Sequence, residues 1–148
     1  MRIAMGADHA GFELKQAVKA QLLDAGHEVE DVGTDSAEST DYPPYAARAA
    51  RLVASGEAER GVIVCGSGNG VAIVANKVDG IRAVNAHDVA EAEMARRHNN
   101  INVVTLSGQR LGPEEAGAIV SEFLSEEFEG GRHERRVDEI ADVEREES

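Results

Sequence analysis

GVIVCGSGNG, running from Gly61 to Gly70, decides the fold. Its first five residues are an unbroken apolar run, as a strand buried on both faces of a sheet requires. A glycine-rich turn over 66–70 follows directly, and Val71–Val78 continues as a helix. Glycines at 66, 68 and 70 let a backbone come close to a ligand. The amides of such a turn converge at the positive end of the helix it opens.

The same alternation extends in both directions. Arg2–Met5 is a short apolar strand ending in Gly6-Ala7-Asp8-His9. Phe12, Leu14, Ala17, Val18, Leu22 and Leu23 then recur at helical spacing up to a stop at Gly26. His27–Val32 alternates as a second strand, and polar Gly33–Asp41 is a loop. Pro43 and Pro44 suit the first turn of a helix to about Ala54, with Thr40 or Asp41 near its cap and Gly56 beyond its end. Downstream, Ile81–Ala86 is a fourth strand, and Asp88 caps a helix carrying Val89, Ala92, Met94 and Ala95 that ends near His98-Asn99-Asn100. Asn102–Leu106 is a fifth strand, and Pro113 opens a helix to about Phe128. After Glu129-Gly130-Gly131, the last helix keeps Val137, Ile140 and Val143 on one stripe. Five strands, each followed by a helix, predict one α/β domain over residues 1–148, with about the last four residues frayed. Its sheet is five-stranded, parallel and flanked by helices on both faces, in three layers. Doubly wound sheets place ligands at the carboxyl ends of strands, which selects loops 6–10, 33–42, 65–70, 86–88 and 107–112.

A chain of 148 residues buries roughly two-thirds of its unfolded surface, enough for a core without staples. Apolar residues at 42% and charged residues at 29% exclude a disordered tail and a membrane protein. No apolar run approaches the ~20 residues of a membrane helix, and the amino terminus lacks a signal-peptide core. The single cysteine, Cys65, excludes an internal disulfide and a cysteine-based zinc cluster, and the five histidines lack metal-ligand spacing, so no metal or cofactor is expected. The expected address is the cytoplasm. A formal charge of −13 repels nucleic acid and anionic membranes. It also repels phosphorylated metabolites, so any anion site must be built locally from arginines or helix N-termini. Only Lys15, Lys19 and Lys77 are lysines; salt adaptation and high-GC codon usage both account for that.

Cys65 ends its strand in the field of the next helix, a setting in which a cysteine can serve as a base, and Ser67 adds a hydroxyl donor. A base beside an anion cradle is what proton abstraction next to a carbonyl needs, because the product is an enediolate. A structural cysteine on a tight turn would read the same way. No Gly-Lys-Ser/Thr follows the loop, which excludes a Walker A motif. A dinucleotide fingerprint fits poorly, since the spacing is G-x-G-x-G, although Asp88 stands at about the right distance for its acidic partner. Asp8 is either the cap of the first helix or, with His9, part of a ligand site. His98 closes a helix, where the dipole favours a cationic imidazole. Tyr42 is packing or a substrate contact. Arg132, Arg135 and Arg136 crowd the start of the last helix, against the dipole, with Arg132 and Arg136 facing each other at i,i+4. Either an external anion compensates them, or Glu129, Glu134 and Glu139 do.

GADHAG (6–11), TDYPPYA (40–46), VCGSGNG (64–70), ANK (75–77), GIRA (80–83), RRHNN (96–100) and EGGRHERRV (129–137) together closely resemble the type B ribose-5-phosphate isomerases, whose wider family includes galactose-6-phosphate isomerase subunits. The resemblance spans Met1 to about Glu144. It implies a Rossmann-like sheet, a metal-independent aldose–ketose isomerisation, and a homodimer, possibly a tetramer, with the last helix at the interface and shared active sites. By position, Cys65 resembles the base that moves a proton between C1 and C2, and Gly66, Ser67, Gly68, Asn69 and Gly70 the enediolate cradle. His98 resembles the acid that opens the furanose ring, with Asp8 near the ring oxygen. His9, Arg132 and Arg136 resemble phosphate or substrate ligands, joined by Asn99 and Arg110.

Two departures stand out. Some members carry glutamate after the G-x-G-x-G run and lack the cysteine; Val71 and Cys65 place this chain on the cysteine branch. The stretch from His98 to Arg110 is one residue longer than the usual spacing. The expected reaction is therefore ribose 5-phosphate to ribulose 5-phosphate. The same chemistry on a galactose, allose or tetrose phosphate is the near alternative, and a non-catalytic nucleotide module or a purely structural dimer the remote ones.

Overall fold

The computed structural model describes residues 1–148 as β1 (Arg2–Ala7), α1 (Phe12–Asp24), β2 (Glu28–Asp31), α2 (Tyr42–Ala54), β3 (Arg60–Cys65), α3 (Asn69–Asn76), β4 (Ala83–Asn85), α4 (Val89–Asn99), β5 (Val103–Ser107), α5 (Pro113–Ser125) and α6 (Arg132–Glu147). All strand pairs are parallel, in the order β2-β1-β3-β5-β4. This is the single Rossmann-like domain that the alternation predicts.

Side chains alternate across each strand, so the apolar run at β3 feeds two cores. Val62 and Val64 join Ile3, Met5, Val104 and Leu106 under α1, α4 and α5. Ile63 and Cys65 join Ala4 and Val103 under α2 and α3. Helix α2 turns three alanines, Ala46, Ala49 and Ala50, to the sheet, with Val53 near its end. The backbone therefore lies close: a Cβ on Gly6 would sit 3.0 Å from the Tyr45 carbonyl oxygen. No helix is long and apolar enough to cross a membrane.

Four details differ from the pattern in the sequence. Strand β4 keeps only Ala83–Asn85, because the side chains of Asn102 and Asn76 take the amides of Arg82 and Ala83. Helix α4 buries Ala92, Ala95 and Arg96, while Val89 and Met94 face outward. Helix α5 stops at Ser125, where Glu126 turns extended and its carbonyl accepts from Arg96 Nε. Arg96 also reaches the Ile101 carbonyl, and burial, with the nearby charges of Arg60 and Arg82, brings it down to about 10. Helix α6 continues to Glu147, into the stretch expected to fray, and Ser148 Oγ donates to the Glu144 carbonyl. It packs on α4 and buries only His133, leaving Ile140 and Val143 exposed.

In α1 the buried face is Leu14, Lys15, Val18 and Leu22, and Leu23 is exposed. Lys15 is fully covered. Its Nζ donates to both Asp31 oxygens, at 2.7 and 2.8 Å, and to the Thr34 carbonyl at 2.8 Å. The amide of Gly33 also donates to Asp31. This pair ties α1 and β2 to the start of the 33–42 loop.

Candidate active site

At the carboxyl edge of the sheet Cys65 ends β3, 4% exposed, and its Sγ accepts from the Gly68 amide at 3.2 Å. Gly68 caps α3 with φ 81°, and a Cβ there would fall 2.2 Å from Asn85 Oδ1. A Cβ on Gly70 would fall 2.4 Å from Tyr42 Cζ. Both glycines are therefore required by close approach, and by a left-handed backbone at Gly68.

The loop's carbonyls are tied outward. Gly66 O accepts from Ser107 Oγ at 2.6 Å and from the Gln109 amide at 3.1 Å. Ser67 O accepts from Asn85 Nδ2, and Gly68 O from Thr105 Oγ1 at 2.8 Å. The amides of Gly66 and Ser67 have no acceptor within the chain. Amides held this way beside a thiol can meet an oxyanion without reorganising. Sequence reasoning missed Asn85, Thr105, Ser107 and Gln109. Asn85 and Ser107 end β4 and β5, Thr105 sits in the middle of β5 and Gln109 just past it; the signals were a polar residue in an otherwise apolar strand and, for Ser107 and Gln109, their place in the 107–112 loop.

Other expected residues share this edge. Asp8 is buried, and its Oδ1 accepts from the Gly11 amide at 3.0 Å, so it does close the turn into α1. His9 Nδ1 lies 3.1 Å from both the amide and the carbonyl of Thr40, which pins the 33–42 loop. Tyr42 is half-buried against α3. The Tyr45 hydroxyl is 3.3 Å from Thr40 Oγ1, and hydrogen bonding to Thr40 and Thr34 holds its phenol below the usual value. Arg110 is exposed just past β5, its amide donating to Ser107 Oγ. Asp88 Oδ1 accepts from the Glu91 amide at 2.8 Å, so Asp88 is the cap of α4.

The remaining expected residues are elsewhere. Helix α4 has 11 residues and runs back across the sheet, so its two ends lie ~16 Å apart. His98 and Asn99, in its last turn, therefore stand at the amino edge, opposite Cys65. His98 stacks on His133 at 4.1 Å between ring centroids, 12° from parallel. Glu129 reaches the Nε2 atoms of both rings, its Oε2 3.9 Å from His98 and its Oε1 3.6 Å from His133, and Oε2 takes a 2.8 Å ion pair from Arg97. Burial, with the charges of His98 and Arg132, holds His133 below the ordinary histidine value. The spacing of the histidines shows no ligand set, yet the fold gathers His98, Glu129 and His133 within 4.8 Å. Of the arginines on α6, Arg135 faces Glu139 at 3.7 Å, whereas Arg132 and Arg136 are exposed and lie in no ion pair. The residues expected to form one site thus divide into two candidate half-sites: Asp8, His9, Tyr42, Cys65–Gly70 and Arg110 at one edge, and His98, Asn99, Arg132 and Arg136 at the other.

Residues 3–140 match the family model described as Ribose/Galactose Isomerase. The chain is 46% identical to ribose-5-phosphate isomerase B of Escherichia coli, over 97% of this chain and 96% of that protein. It is 40% identical to D-erythrulose-4-phosphate isomerase of Pectobacterium atrosepticum, over 99% and 97%. The structure of ribose-5-phosphate isomerase B from Clostridium thermocellum superposes with a TM-score of 0.98 at 42% identity, covering 100% of both chains.

Proposed function

This chain belongs to the ribose/galactose isomerase family and is an aldose–ketose isomerase acting on a sugar phosphate, and from that premise we propose that it interconverts D-ribose 5-phosphate and D-ribulose 5-phosphate with Cys65 as base. The observation that carries the reading is the pair of unengaged amides, Gly66 and Ser67, next to the Cys65 thiol.

On the open-chain aldose, the Cys65 thiolate takes the proton from C2. The electron pair moves into a C1–C2 double bond and onto O1, where the loop amides meet the developing charge. A proton passes from O2 to O1, and the Cys65 thiol returns its proton to C1, leaving the C2 ketone. His98 opens the furanose beforehand by protonating the ring oxygen, with Asp8 beside it. His9, Arg132 and Arg136 hold the phosphate, and Tyr42, Asn99 and Arg110 line the sugar.

A panel of aldose phosphates assayed for ketose formation, with nucleotides as a binding control, tests the substrate. Ribose 5-phosphate should give the highest kcat/KM. A tetrose phosphate is the second reading, favoured by the 40% identity to a D-erythrulose-4-phosphate isomerase. Preference for a tetrose by tenfold or more would replace the first reading. Tight nucleotide binding without turnover would end both.

The arginines give a further expected result. Arg132→Ala or Arg136→Ala should lower kcat/KM for ribose 5-phosphate by roughly 2 kcal/mol, mostly through KM, as loss of a charge-assisted phosphate contact does. Unphosphorylated ribose, if turned over, should be indifferent to either change. Equal damage with both sugars assigns the arginines to the architecture of α6.

The two half-sites meet if a two-fold partner lays the amino edge of one chain over the carboxyl edge of the other. Exposed Ile140 and Val143 on α6 supply an apolar seam for that homodimer. Cys65→Ala and His98→Ala homodimers should both be poor catalysts. Unfolded together and refolded at equal concentration, they form about half heterodimers with one intact site each, so about a quarter of wild-type activity returns. No recovery above each mutant refolded alone, with heterodimers seen by mass spectrometry, places both residues in a site within one chain.

A further inference from the structure

We propose that Asn85 is a positioning residue of the isomerase: it turns the side-chain amide of Asn69 so that the NH2 group, and not the oxygen, meets an oxygen of the bound sugar phosphate. This rests on the reading of the glycine loop as the substrate site. Asn85 is the last residue of β4, where its pairing with Thr105 brings it beside that loop. Its Nδ2 donates to the Ser67 carbonyl at 3.1 Å and to Asn69 Oδ1 at 2.8 Å. Asn69 opens α3, and its backbone amide donates to Ser67 Oγ at 3.1 Å.

The polarity of both side-chain amides follows from one backbone group. A carbonyl oxygen only accepts, so Ser67 requires Asn85 to turn its NH2 toward the loop. The Ser67–Gly68 peptide is held on its other side as well, where the Gly68 amide donates to Cys65 Sγ at 3.2 Å. Asn85 Oδ1 is left buried without a partner, against Gly68, at the place a Cβ on that glycine would take. An unpartnered buried oxygen is destabilising, yet the reverse orientation would set it against the Ser67 carbonyl and leave two acceptors facing. With the Asn85 NH2 fixed, Asn69 must give it an oxygen. Asn69 Nδ2 is then the free end of an exposed side chain. It joins the unengaged amides of Gly66 and Ser67 as a donor on one loop, suited to the hydroxyl, carbonyl and enediolate oxygens of a sugar.

A double-mutant cycle on kcat/KM for ribose 5-phosphate tests the coupling. Asn85→Leu keeps the branched shape and removes the donor. It and Asn69→Ala should each lower kcat/KM about tenfold, as loss of one well-placed hydrogen bond does. The double variant should be no worse than Asn69→Ala alone, because Asn85 acts through Asn69. Losses that multiply overturn the proposal. The melting temperature of Asn85→Leu should match the wild type, since Ser67 is exposed, water replaces Asn85 at its carbonyl, and the unpartnered oxygen is gone. A large drop in melting temperature would instead make Asn85 a structural residue. Nuclear magnetic resonance of the 15N-labelled protein reads the contact itself. Saturation with ribose 5-phosphate should shift the Asn69 Nδ2 proton resonances, and Asn85→Leu should remove that shift. Shifts at the backbone amides of residues 66–70 without one at Asn69 Nδ2 overturn this proposal alone. No shift anywhere on the loop overturns it together with the reading of the loop as the substrate site.

Discussion

Cys65→Ala lowers turnover by about 10²–10⁴-fold while KM stays near its wild-type value, the expected loss when a general base is removed. The residue is buried at the end of β3 and gives the Gly68 amide its acceptor, so the alanine variant also loses a hydrogen bond worth about 1 kcal/mol. Cys65→Ser separates the two effects. It keeps an acceptor for Gly68 but is a far weaker base, so it should be stable and still inactive. Thiol alkylation should inactivate the wild type, and ribose 5-phosphate should protect it. Turnover within tenfold of wild type in both variants moves the base elsewhere.

The largest loss of stability is expected at Asp31→Asn. Lys15 is fully covered, and the carboxylate is its only anionic partner. Removing one member of a buried pair leaves the other uncompensated, at a cost of about 3–5 kcal/mol. Adding Lys15→Met should recover part of this, because the remaining charge goes with it. Acid should reproduce the loss in the wild type. Burial by itself raises the Asp31 carboxyl, but hydrogen bonds from Lys15, Gly33 and Lys19 outweigh it and hold the carboxyl below its ordinary 3.8. The folded form therefore binds its proton less readily than the unfolded one. The pair's contribution is complete above pH 3.8 and disappears as pH falls through the lowered value. Denaturant titrations at neutral pH and near pH 3 should show wild type losing stability that Asp31→Asn has already lost. Parallel pH curves for the two proteins would show that the ion pair does not carry this dependence.

Much of the architecture was legible because one local signal sets each element. The run Val62–Cys65 reads as a strand covered on both faces, and the two cores beneath it are the reason. Asp88 reads as a cap and is one. Misreadings occur where a polar side chain does the work of an apolar one. Lys15 and Arg96 belong to buried faces because their charged ends meet carboxylate or carbonyl oxygens, a pairing that periodicity cannot register. Met94 and Val89 match a helical stripe but face outward, since α4 uses alanines to sit close. At the candidate site, the glycine loop was visible as a local pattern. The hydroxyls of Thr105 and Ser107 that hold it were not, because parallel pairing brings them from 37 and 41 residues along the chain to the carbonyls of Gly68 and Gly66. The stacking of His98 on His133 is likewise set by the return of α6 over α4.

Strand β5 lies between β3 and β4 although it is made after both. As the chain leaves the ribosome, β2, β1 and β3 can pair while β4 has no neighbour at all, since its one ladder is to β5. The open flank of β3 stays exposed until Val103–Ser107 emerges to pair with it on one side and with β4 on the other. The same step delivers the hydroxyls that turn the glycine loop's carbonyls outward. Vectorial synthesis thus makes the oxyanion cradle one of the last features to form, and a nascent chain stalled before residue 103 presents an unpaired strand edge to chaperones and no competent loop.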